Sequence, residues 1–185
     1  MILVNRRTVV YTPGLSDEAA AAVESIPAAA TEAEIASTLA PLPPRQEIRI
    51  TVSTYTALHA ARYESHRRSM WKWIEAETGQ PIQTMREAPT DSLEFAYIRA
   101  GIQWARTLAG LVAYEARPID AAGAPLADWQ PEPMPEAWRS PAGYNEAVPA
   151  DLAAALDDAI VLLNPGLFGM DDTADAKKNA RISAG

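Results

Sequence analysis

The sequence predicts a mainly α protein: two long packed helices with short N-terminal strands before them, then a Pro/Trp-rich connector and a C-terminal helix. Three observations carry that prediction. Apolar residues recur at steps of three and four over Tyr55–Glu77 and again over residues 93–116, the spacing of a helix face. Gly79 with Pro81, and later Pro118, punctuate the ends of these stretches. Strand-like alternation is confined to short segments near the N-terminus.

Taken in order, residues 1–12 form a short strand, because Val9, Val10 and Tyr11 favour extended backbone and Pro13-Gly14 turns the chain. Ser16 caps a first short helix with Asp17 and Glu18 in its opening turn. Thr31 and Glu34 make a capping box for a second, ahead of Ile35 and Leu39. The run Pro41-Leu42-Pro43-Pro44 is extended and closes this segment. Residues 47–52 alternate polar and apolar as a strand, and Ser53 or Thr54 caps the first long helix. One face of that helix carries Tyr55, Leu58, Arg62, His66, Met70 and Trp73.

Asp91, with Glu94 at the box position, caps the second long helix, which runs to about Ala116 and is the central core element. Gly101, Ala105 and Ala109 give it a row of small side chains on which a neighbouring helix packs closely. Between 118 and 149 the chain is ordered by docking Trp129, Trp138 and Tyr144 rather than by regular structure. Pro149 opens a last helix with the stripe Leu152, Leu156, Ile160 and Leu163, and Asn164-Pro165-Gly166 ends it. The segments are therefore 1–44, a helical core at 45–118, a connector with the last helix at 119–170, and a mobile tail at 171–185.

Composition excludes several function classes. Cysteine is absent, which removes disulfides, thiolate metal sites and cysteine nucleophiles and suits a reducing cytoplasm. No stretch has the length of a signal-peptide core or a membrane span, so the expectation is a soluble cytoplasmic protein without a membrane partner. The net charge of −8 opposes the phosphate-neutralising term of nucleic-acid binding, so none is expected. Charge is also uneven. Residues 120–175 hold eleven acids against Arg139, while residues 45–117 hold ten bases against eight acids, so the acidic part either docks on the core or faces a basic partner.

The chemically suggestive constellations are weak. His59 and His66 are seven apart, a poor spacing for one metal ion. Arg67, Arg68, Trp71, Lys72 and Trp73 mix bases with aromatics as a single-strand-binding surface would, but the tryptophans fit a packed face and the arginines can pair with Glu64 and Glu75. Asp157-Asp158 and Asp171-Asp172 diverge or lie in the tail. Phosphate-binding glycine motifs, a nucleophile elbow and a histidine-based triad are missing. The expectation is a protein without catalytic residues, cofactor or metal that acts by binding another protein.

From Trp129 to Phe168, a tryptophan- and proline-rich connector with Met134-Pro135-Glu136 leads to Pro149-Ala150-Asp151-Leu152 and then Leu162-Leu163-Asn164-Pro165-Gly166-Leu167-Phe168. Placed behind two long helices, this stretch resembles the tail assembly chaperones of long-tailed, siphovirus-type bacteriophages. Such chaperones are often made in two lengths by a ribosomal frameshift, and Lys177-Lys178-Asn179 is compatible with a slippery codon run. The N-terminal strand and residues 16–40 have no evident counterpart in that family. The resemblance implies binding to the tape measure protein and recruitment of tail tube subunits; the rival is a virion structural protein such as a head–tail connector, tail terminator or capsid accessory protein. The residues put forward for protein binding are Trp71, Trp129, Trp138 and Tyr144, since a large apolar ring with a polar handle suits a groove. Trp104 is assigned to the core, whereas Trp129 and Trp138 fit either core or groove.

Overall fold

The computed structural model describes residues 4–15, 17–39, 41–80 and 89–167. Ser16, Pro81, Phe168 and the tail at 171–185, with Asp171-Asp172 and the Lys177-Lys178-Asn179 run, lie outside them. The element order is β1 (Arg6–Tyr11), α1 (Asp17–Glu24), α2 (Glu32–Leu39), β2 (Arg45–Ser53), α3 (Ala57–Thr78), α4 (Leu93–Gly110), β3 (Leu111–Ile119), β4 (Gln130–Pro131), a 3-10 helix (Glu136–Arg139), α5 (Pro141–Ala147) and α6 (Ala150–Leu163).

The fold is mixed α/β, which corrects the mainly α expectation. A four-stranded antiparallel sheet runs β1-β2-β3-β4 in chain order. Its register is written in the side chains. Thr8 meets Thr51 and Thr12 meets Glu47 between β1 and β2, and Glu47 meets Arg117 and Arg49 meets Glu115 between β2 and β3. Number rises on one strand as it falls on the other, as antiparallel pairing requires. Between β3 and β4 the partners are Glu115 with Pro131 and Ala116 with Gln130.

Residues 111–116, expected as the end of the second long helix, lie in β3. Leu108, Leu111 and Val112 keep a helical spacing, which extends the pattern past its true end. What decides the matter is long-range. Glu115 and Arg117, two apart, share one face of a strand and meet Arg49 and Glu47 across β2, pairs that local periodicity does not reveal.

The chain forms two compact units. One comprises residues 1–9, 51–112 and 134–185, the other residues 10–50 and 113–133. In the first, α3 packs chiefly on α4, and α4 also on α6. Met70, Ile74, Trp104, Ala105, Leu152, Leu156 and Ile160 are its buried apolar centre. The small-residue row is present: a Cβ on Gly101 would sit 2.5 Å from Met70 Cγ and 3.3 Å from Ile74 Cδ1, while Ala105 and Ala109 are fully buried. The expected face of α3 is offset, because Leu58 and Arg62 are exposed and the buried positions are Met70 and Ile74.

Two caps also differ from expectation. Thr56, not Ser53 or Thr54, caps α3, with its N–H donating to Nδ1 of His59 at 3.0 Å. Ser92, not Asp91, caps α4 by accepting from the Phe95 N–H at 3.1 Å. The connector is more regular than expected, since it supplies β4, the 3-10 helix and α5, whose cap Ser140 accepts from the Gly143 N–H. Pro149 caps α6 as its fixed φ suits.

Candidate functional site

The most distinctive concave feature lies within the second unit. A cleft of about 580 Å3 is lined by Glu32, Ile35 and Leu39 of α2, Leu42 and Pro44 of the segment leading to β2, and Asp120, Ala122 and Leu126 beyond β3. Glu32, Ile35 and Leu39 stand three and four residues apart, so they share the α2 face that forms one wall. The helix start is fixed by the capping box. Glu34 accepts from the Thr31 N–H at 2.8 Å and from its hydroxyl at 2.9 Å, and these bonds hold the Glu34 carboxyl below its ordinary range. The Thr31–Glu34 box predicted from sequence is thus the device that aims this wall.

The opposite wall is a tight turn. Asp120 Oδ1 accepts from the Ala124 N–H at 2.8 Å, the Asp120 N–H donates to Ala124 O at 2.9 Å, and Ile119 bridges to Pro125. Gly123 sits at φ +89°, a conformation that a side chain would strain. Arg45 ties the turn down: Nη2 donates to the carbonyls of Ala121 at 3.1 Å and Asp120 at 3.4 Å, and Nη1 donates to Pro13 O. Leu126 remains 58% exposed at the mouth. Ile35, Leu39 and Leu42 are half-buried, so the wall offers apolar surface to a ligand.

The same unit carries a second organised cluster on one sheet face. Arg49 grips Glu115 with two bonds of 2.8 and 2.7 Å, and Arg117 Nε donates to Glu47 at 2.6 Å. Trp129 lies against both guanidiniums, with its ring centre 4.6 Å from Arg49 and 4.4 Å from Arg117. Glu47 is buried. A hydrogen bond from Thr12, then the Arg117 guanidinium, hold its carboxyl below the ordinary range, and Arg49 does the same for Glu115. This cluster joins strands through pairs already satisfied, and its chemistry is structural.

Of the four residues proposed from sequence, the structure brings Trp138 and Tyr144 into contact, with Trp71 in the same unit and Trp129 in the other. Trp138 is 4% exposed, accepts the Trp104 indole N–H on its backbone carbonyl at 2.9 Å, and meets Tyr144 edge to face at 5.6 Å between ring centres. Tyr144 is 2% exposed and its hydroxyl lies 3.2 Å from that of Thr107; burial pushes its phenol up to about 12. Both belong to the interior of the first unit, and Tyr144 also contributes to the wall of a second concavity there, beside Phe95 and Val148. Trp71 is half-buried on α3 of that unit, and Trp129 is engaged with the two arginines of the other. Trp104, assigned to the core, is 1% exposed. The cleft residues were overlooked because none is aromatic; Ile35 and Leu39 were the available signal, an apolar pair on a short acidic helix with no matching stripe.

The remaining constellations resolve into local roles. His59 closes the α3 cap, and His66 stands edge-on to Trp104 with ring centres 5.3 Å apart. Arg67 pairs with Glu64 at 3.0 Å, and Asp157 with Arg106 at 3.0 Å. Among the described residues no three His, Cys, Asp or Glu side chains converge as a metal site would need. No helix among them is long and apolar enough to cross a membrane. No known protein family, curated protein or solved structure matches the chain.

Proposed function

We propose that this protein is a non-catalytic binding factor that holds an apolar segment of a protein client in the cleft between α2 and the turn after β3. The observation that carries this reading is the cleft itself: apolar side chains from three separate stretches converge on an open space of about 580 Å3, within the ~300–1,000 Å3 of concave binding sites. An amphipathic helix laid in such a groove buries its apolar face, and the client is shielded until assembly releases it. Such shielding is what the resemblance of residues 129–168 to phage tail assembly chaperones supplies as a context: a cytoplasmic factor that binds the tape measure protein and recruits tail tube subunits.

Two experiments test the two levels of this reading. Site-specific photo-crosslinking from position 126 in the producing cell captures the client if the cleft is used; capture that is unchanged when Leu39 is replaced by Asp rejects the cleft. Mass spectrometry of purified particles distinguishes the assembly factor, absent from finished virions, from the virion component, present at fixed stoichiometry. Recovery of a long helical protein with the cleft supports the chaperone reading, and recovery of no viral protein ends it.

A further inference from the structure

The charge of the chain is concentrated in the unit that holds the cleft. Residues 10–50 and 113–133 contain ten acids, Asp17, Glu18, Glu24, Glu32, Glu34, Glu47, Glu115, Asp120, Asp128 and Glu132, against three bases, a net of −7 out of the chain's −8. Those three bases are all spent internally. Arg45 binds backbone carbonyls, Arg49 binds Glu115 and Arg117 binds Glu47. No base of this unit is left over for Glu32, Asp128 or Glu132, which are exposed. The cleft repeats the pattern at short range. Among the described residues its ionisable lining groups are two carboxylates, Glu32 on the α2 wall and Asp120 on the turn wall, and the other described lining residues are apolar.

We infer that the cleft is built for an amphipathic helical segment with lysine or arginine beside its apolar face, an inference that rests on the cleft being the client site. Leu39, Leu42 and Leu126 take the apolar face, and Glu32 and Asp120 meet cations along its two margins. The surrounding field of −7 speeds encounter with a basic segment and repels an acidic one. The same field keeps the empty cleft from pairing with a second copy of this acidic chain.

Fluorescence anisotropy on the full chain tests this with three labelled helical peptides that share one leucine face and carry Lys, Gln or Glu on the flanks. The expected order is Lys tightest, with the Lys peptide about five- to tenfold ahead of the Glu peptide in low salt and the gap closing at about 0.5 M salt. Glu32→Gln and Asp120→Asn, which keeps an acceptor for the Ala124 N–H, narrow the gap, and Leu126→Asp at its exposed position weakens all three peptides. Equal affinity of the three peptides without salt dependence overturns the charge inference and leaves the cleft as the binding site. Binding of none overturns both. A Lys preference indifferent to Leu126→Asp and Glu32→Gln places the attraction elsewhere on the acidic surface and also overturns both.

Discussion

Asn164 and Tyr55 are joined across 109 positions of sequence: the Asn164 Oδ1 accepts the Tyr55 backbone N–H at 2.6 Å. Its Nδ2 simultaneously donates to Ile160 O at 2.8 Å, so one buried amide closes α6 and fixes the chain just ahead of α3. Asn164→Ala removes both of these buried bonds at once and should cost about 1–3 kcal/mol. Urea denaturation checks this, with Pro165→Ala, at an exposed site, expected within about 0.5 kcal/mol of the parent. Equal losses for the two variants would reduce Asn164 to an ordinary helix stop.

Gly101 is required by the approach of α3. Gly101→Val drives a side chain into Met70 and Ile74 and should cost about 1–3 kcal/mol by overpacking. Adding Met70→Ala opens the space the valine needs. A double variant less stable than the sum of the two singles contradicts this geometry.

Within the sheet, the bond between Arg117 and Glu47 is worth most as a matched pair. Arg117→Met removes the charged partner of the buried Glu47 carboxylate, which keeps its Thr12 hydrogen bond, and should destabilise by about 1–3 kcal/mol, whereas Glu47→Gln added to it recovers part of that loss. Thermal melts of the two variants and the parent decide it. Trp129→Ala exposes both arginines and should cost about 1–3 kcal/mol through lost ring contacts.

Stability should fall at both ends of the pH range for nameable reasons. Burial first, then Arg62, depress the His66 pKa below its ordinary value of 6.5, so the unfolded chain binds this proton more readily than the folded one. The stability tied to neutral His66 is complete above 6.5 and is lost as pH falls from there through the depressed folded value; His66→Gln flattens this limb. Burial raises Tyr144 to about 12 from 10.0, so the unfolded chain ionises first and stability declines as pH climbs from 10 towards 12. Tyr144→Phe blunts the alkaline limb. Urea titrations at fixed pH values read both, and an unchanged acid limb in His66→Gln removes His66 as its source.

Local signals in this chain were legible where the residues that make an element are neighbours. Thr31 and Glu34 announce α2 because the capping box closes over three residues, and the alternation at 47–52 marks β2 because a pleat has period two. Leu152, Leu156 and Ile160 give the buried stripe of α6 for the same reason. Thr56 was missed as the cap of α3 because its partner in the box is a histidine, His59, rather than the usual Glu or Gln.

What tertiary structure alone decided is the fate of residues that depend on distant partners. Residues 111–116 carry an apolar spacing that either a helix or a strand can use; the pairs Arg49 with Glu115 and Glu47 with Arg117 select the strand and, with it, the mixed fold. The aromatic residues chosen from sequence for a groove took their places by the same logic. Trp138 and Tyr144 sink into the helical core because Trp104 and Thr107 offer their polar atoms a partner there, and Trp129 is held by two arginines from other strands. The cleft, meanwhile, is made of modest side chains, Ile35, Leu39, Leu42 and Leu126, drawn from stretches far apart in sequence. Composition and periodicity determined a cysteine-free, acidic chain with two long helices and a striped last one, but not the sheet beside them. Convergence in space determined where its apolar surface stays open, because a concave site is a property of several segments at once and no single segment encodes it.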